Sequence, residues 1–163
     1  ATLIATLTAV ALSLAYWAIY HRPKQRRSQR QISQIEDIAQ EVTSTVDLFR
    51  LYQSMVFKQI DAQGVASNEL KARLITTTNE LIQITQDLKR HESTLRILGD
   101  TQLADGLRIF CHAILFFRHQ LNRYKHKQVG LDDLHIARDQ VLQAQQLFYQ
   151  QISKGYNQAL SRL

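Results

Sequence analysis

Residues 70–98 read LKARLITTTNELIQITQDLKRHESTLRIL. Within them Leu70, Leu74, Thr77, Leu81, Ile84, Leu88, His91, Leu95 and Leu98 recur at alternating steps of four and three. That spacing collects side chains on one face of a helix, whereas a strand would need a period of two. A heptad face of this length belongs to a helix that packs against other helices. Ser67 stands in front as a cap for the free N–H groups, and Gly99 closes the far end.

The same pattern continues on both sides. After Asp100, read as a cap, Leu103, Leu107, Phe110, Ile114, Phe117, Leu121 and Tyr124 form a second face. The apolar run 109–117 within it is too short for a membrane span and is bounded by Arg108 and Arg118, so it reads as a buried bundle helix. Upstream, Ile35, Ala39, Val42, Val46, Phe49, Val56 and Ile60 share a face, with Ser28 as the expected cap. Downstream, Leu134, Ala137, Val141, Ala144, Phe148 and Ile152 give a looser stripe, weakened at its end by Gly155. Breaks at Gly64, Gly99 and Gly130 divide the chain into helices near 29–62, 67–98, 100–128 and 131–161. Short connections between helices of similar length make neighbours antiparallel. The expected fold is all-α: an N-terminal transmembrane helix followed by an antiparallel four-helix bundle, with an extended helical hairpin as the alternative.

The transmembrane expectation rests on residues 1–20, which carry no charged side chain. Nineteen residues of helix from Thr2 to Tyr20 cover about 28 Å, close to the hydrocarbon thickness of a bilayer. Tyr16, Trp17 and Tyr20 are placed as an interfacial belt, and Arg22, Lys24, Arg26, Arg27 and Arg30 follow at headgroup level. A cleavable signal peptide fits less well, because its positive charge would precede the apolar run. Ala5, Ala9 and Ser13 repeat every four residues, with Thr2 and Thr6 nearby, a spacing that lets a second helix approach closely in lipid. Pro23 marks residues 21–30 as a basic juxtamembrane linker, leaving 31–163 as the bundle. Positive charge after the span places the bundle on the cytoplasmic side, or the inner side of an organelle.

The formal charge of +6 raises the question of nucleic acid. From residue 31 onward, however, fifteen basic side chains face fourteen acidic ones, so the excess sits in the membrane-flanking cluster. No specific nucleic-acid partner is expected. One local basic patch remains, formed by Arg118, His119, Arg123, Lys125, His126 and Lys127, suited to an acidic protein surface or anionic headgroups.

Catalytic, metal and cofactor chemistry find no motif. The single Cys111 excludes an intrachain disulfide and lies in an apolar run, as a small core side chain would. His112, His119 and His126 are seven apart, about 10 Å between neighbours, too far for one metal. His91 and His135 are the residues from which a hidden two-helix cofactor site would have to be built. The chain is therefore expected to be a non-catalytic accessory or scaffold subunit of a membrane complex, partnered by other membrane proteins and the bilayer, with no cofactor. A membrane-anchored signalling or sensory module and a self-associating scaffold are the alternatives.

Overall fold

Four helices carry the chain: α1 Thr2–Asp61, α2 Asn68–Ile97, α3 Thr101–Lys125 and α4 Leu131–Leu160. The computed structural model describes the backbone of residues 2–62 and 67–161, and the side chains of residues 29–62 and 67–161. No strand occurs among the described residues. The proposed cap break at Gly64 lies outside them.

Contacts between helices run in a closed ring, α1 on α2, α2 on α3, α3 on α4 and α4 on α1. Paired residues show the direction. Along α1 and α4, Glu36 meets Tyr156, Thr43 meets Tyr149 and Phe57 meets His135, so one number rises as the other falls. The domain is thus an antiparallel four-helix bundle, and the extended hairpin is set aside.

Heptad faces identified in the sequence become the core. Val42, Phe49, Leu81, Leu88, Leu107, Phe110, Ile114, Phe117, Leu134, Ala137 and Phe148 are buried in one cluster. Apolar area withdrawn from water along four such stripes is the main favourable term in holding the helices together. At the centre the Phe117 ring meets Phe49 edge-on at 5.2 Å and Tyr52 at 6.1 Å, joining opposite corners of the bundle. Leu98 departs from the expected seam: it follows the last turn of α2 and is 55% exposed. Buried Thr45 and Thr85 return their hydroxyls to the carbonyls of Glu41 and Leu81 at 2.7 and 2.6 Å, so neither leaves an unsatisfied donor.

Helix ends follow the chemistry of their residues. Ser67 Oγ accepts from Leu70 N at 3.2 Å and Asp100 Oδ1 from Leu103 N at 3.3 Å. Gly99 takes φ 83°, letting its N–H reach the Arg96 carbonyl and that of Asp100 reach Leu95. At the end of α3 the equivalent left-handed position is held by Lys127, φ 57°, with matching bonds from Lys127 to Tyr124 and from Gln128 to Arg123. Gly130 instead caps α4 at φ −88°, a conformation any residue adopts. Replacing Lys127 with glycine removes the clash of a Cβ with its carbonyl, offset in part by greater freedom of the unfolded chain. The expected gain is about 1 kcal/mol, a rise of roughly 2–4 °C in the thermal midpoint. A melt of Lys127→Gly that is unchanged or lower refutes the left-handed turn.

Two glycines matter through contact. A Cβ on Gly106 would lie 3.0 Å from the Phe148 ring and inside the Gln151 side chain, so α3 and α4 approach closely there. One on Gly155 would meet Leu103 at 3.3 Å and Ile35 at 3.7 Å. Gly155 therefore lies within α4 as a packing site, where the sequence suggested only a weak end.

The largest departure from expectation is in α1. Its backbone stays helical across residues 21–30, so that stretch continues the helix where a linker was expected, and Ser28 lies in its interior. Pro23 costs one intrahelical hydrogen bond, to the carbonyl four residues back, but no second breaker stands beside it. At 60 residues α1 is twice as long as α2 or α4, each of 30. The excess amounts to roughly 45 Å of helix.

Candidate functional site

The basic patch of α3 divides in two. Successive helical residues are turned by about 100°, so clustering in sequence does not mean clustering in space. Arg118 and Lys125 line a cleft shared with α1 and α2, whereas His119 and Arg123 lie outside it. His126 is the C-terminal cap of the helix and Lys127 forms its left-handed turn.

Arg118 and Lys125 line a cleft of about 270 Å³ with Tyr52 from α1, Leu74 and Thr78 from α2, and Leu121 and Asn122 from α3. Tyr52 is 3% exposed and forms part of the floor. Burial pushes its phenol above the usual value, an effect the nearby positive Arg118 partly offsets. The phenol therefore keeps its proton at neutral pH. Thr78 is anchored by donating to the Leu74 carbonyl at 2.6 Å. Neither Arg118 nor Lys125 pairs with a carboxylate among the described residues. A second cleft, lined by Val56, Gln59, Ile60, Leu121, Tyr124 and Lys125, adjoins the first through Leu121 and Lys125.

Several polar groups away from the cleft have structural partners, although the buried Oε1 atoms of Gln53, Gln120 and Gln151 have none among the described residues. His91 Nε2 lies 2.9 Å from Glu41 Oε2 across α1 and α2. His135 stacks on Phe57 with ring centroids 4.7 Å apart, and Arg138 sits over the same Phe57 ring at 5.9 Å. Glu41 and Phe57 are sixteen residues apart on α1, about 24 Å, so His91 and His135 do not converge on one cofactor. His112, His119 and His126 are all exposed. Among the described residues no three His, Cys, Asp or Glu side chains converge as metal ligands. Arg96 bridges Glu92 and Asp105 at 3.0 and 2.8 Å, tying α2 to α3 beside their loop; its hydrogen bond holds the Asp105 carboxyl below the ordinary value.

The proposed membrane-packing residues Thr2, Ala5, Thr6, Ala9 and Ser13, the belt Tyr16, Trp17 and Tyr20, and Arg22, Lys24, Arg26 and Arg27 lie outside the described side chains. Arg30 is the one member of the headgroup set among the described residues, and it is exposed. Among the described residues no helix is long and apolar enough to cross a membrane.

Sequence reasoning missed Tyr52, Thr78 and Asn122. Tyr52 falls three residues after Phe49, a spacing that already put it on the inner face, but its role in the cleft depends on α2 and α3. No protein-family model, curated protein or solved structure matches this chain.

Proposed function

We propose that the chain is a non-catalytic accessory or scaffold subunit of a multi-protein membrane complex, anchored by residues 1–20 and docking through its helical bundle. The observation that carries this reading is the continuity of α1, which runs as one helix of 60 residues from the uncharged segment into the bundle. A flexible tether would leave the bundle free to point anywhere. A continuous helix instead sets its height and direction, which is what a positioning subunit needs. The five cations at residues 22–30 favour retention of the bundle on the cytoplasmic or organellar inner side. Small side chains at Ala5, Ala9 and Ser13 offer one contact in lipid, and a second contact by the bundle then forms at raised effective concentration.

The test is crosslinking in the native membrane, mild-detergent purification and mass spectrometry, with a variant carrying Leu at positions 5, 9 and 13 run alongside. Stoichiometric foreign membrane proteins, lost from the variant, are expected. Recovery of this chain alone, unchanged by the substitutions, rejects the reading.

The same continuity supports a second reading, a membrane-anchored signalling module in which movement of the span shifts α1 within the bundle. Two glycines inserted between residues 25 and 26 separate the readings. They would uncouple a signalling output while leaving the partners of an accessory subunit in place.

A further inference from the structure

We propose that the cleft between α1, α2 and α3 binds the phosphate group of a soluble ligand, held by Arg118 and Lys125 with Tyr52 and Asn122 as neutral donors.

Charge is the first ground. Two cations line one small cleft, no carboxylate lines it, and neither cation has an acidic partner among the described residues. Arg50, Arg90, Arg96, Arg108 and Arg138 pair with carboxylates, whereas other cations such as Arg73, Lys89 and Arg123 have no such partner among the described residues. What sets Arg118 and Lys125 apart is that both line the same cleft. A phosphate monoester carries about −1.5 to −2 at neutral pH, which the two cations on the α3 wall match.

Donor chemistry is the second. A guanidinium presents parallel N–H groups suited to two phosphate oxygens, and an ammonium adds a point charge. Asn122 brings an amide N–H₂ to the same wall, and the protonated Tyr52 hydroxyl lies on the floor against Arg118 and Thr78. Tyr52 is a positioning residue as well as a donor, because the buried ring cannot move without disturbing Phe117. Leu74 and Leu121 supply the apolar walls.

Place narrows the ligand. The cleft of about 270 Å³ adjoins the second cleft through Leu121 and Lys125, so it admits a phosphate group with part of the molecule that carries it. Tyr52 stands 32 residues beyond Tyr20, about 48 Å along a helix. On the membrane reading above, a headgroup of the same bilayer is out of reach, and only this exclusion rests on that reading.

The experiment uses the full chain in nanodiscs of phosphatidylcholine alone, titrated with inorganic phosphate at constant ionic strength and followed by calorimetry and by the Nε–Hε signals of ¹⁵N-labelled arginine. Saturable one-to-one binding is expected, with one arginine signal moving and acetate binding far more weakly. Arg118→Gln and Lys125→Gln, at half-buried and exposed positions that keep helix propensity, should each weaken binding by about tenfold or more. Tyr52→Phe should weaken it several-fold, and Arg123→Gln, outside the cleft, should leave it unchanged. The proposal is overturned by absence of saturation up to about 10 mM phosphate, or by equal losses in Arg123→Gln and Arg118→Gln, which would mean diffuse attraction. Nanodiscs containing phosphatidylglycerol form the second arm. A response to that lipid without any response to free phosphate overturns the soluble source, and with it the orientation that the membrane reading requires. Phosphate binding with no foreign partner on crosslinking would instead leave the cleft standing and remove the subunit reading.

Discussion

Phe117→Ala is expected to destabilise the bundle by about 3–5 kcal/mol, the range for deleting a buried aromatic ring. Phe117 is fully buried, and its ring is the point at which Phe49 and Tyr52 meet across the core. Its loss removes the transfer energy of the ring and leaves a cavity that four helices cannot close without moving their backbones. A domain of ordinary stability holds only about 5–15 kcal/mol in reserve, so this one change removes a large share. The neighbouring Phe116 supplies the control, since it is 40% exposed on the same helix. Phe116→Ala should shift the denaturant midpoint by well under 1 kcal/mol. Equal effects of the two substitutions in urea melts would contradict the packing described here. Phe117→Ala should also loosen Tyr52 and so weaken phosphate in the cleft beside it.

The second expectation concerns Cys111. It is 1% exposed on α3, and burial pushes its thiol up to about 12. An ordinary thiol ionises near 8.5, so at pH 8 the native chain holds on the order of a thousandfold less thiolate. Reaction with a disulfide reagent is therefore expected only through opening of the bundle. Native protein should label at least several thousandfold more slowly than protein unfolded in urea, with full modification of one thiol in the latter, the ratio being set by an opening that costs about 5 kcal/mol or more. Because labelling then reports unfolding, Phe117→Ala should accelerate it. Rapid complete labelling under native conditions would place Cys111 at the surface and refute the orientation of α3.

Much of this architecture is legible from residue order because a bundle repeats one local rule. Steps of three and four in Leu74, Thr77, Leu81 and Leu88, or in Leu107, Phe110, Ile114 and Phe117, state which side of each helix leaves water. Ser67, Gly99 and Asp100 state where helices begin and stop, since caps act through bonds only three or four residues long. The reading failed where a local signal met a cooperative one. Pro23 and Ser28 each suit a boundary, yet a helix already propagating on both sides gains a bond per residue, which outweighs one lost donor. Lys127 was unreadable as a left-handed turn for the opposite reason: nothing in lysine favours that conformation, and the closing bonds to Tyr124 and Arg123 impose it.

Residue order by itself determined that the chain is helical, how many helices follow the basic segment, where most of them end and which faces they bury. Those properties depend on neighbours within one or two turns. Tertiary structure alone decided that Gly106 and Gly155 are points of contact, that His91 meets Glu41 while His135 meets Phe57, and that Arg118 and Lys125 share a cleft from which Arg123 is excluded. Periodicity gives an angle about a helix's own axis, but what stands opposite that angle is set by the register and rotation of three other helices packed at once.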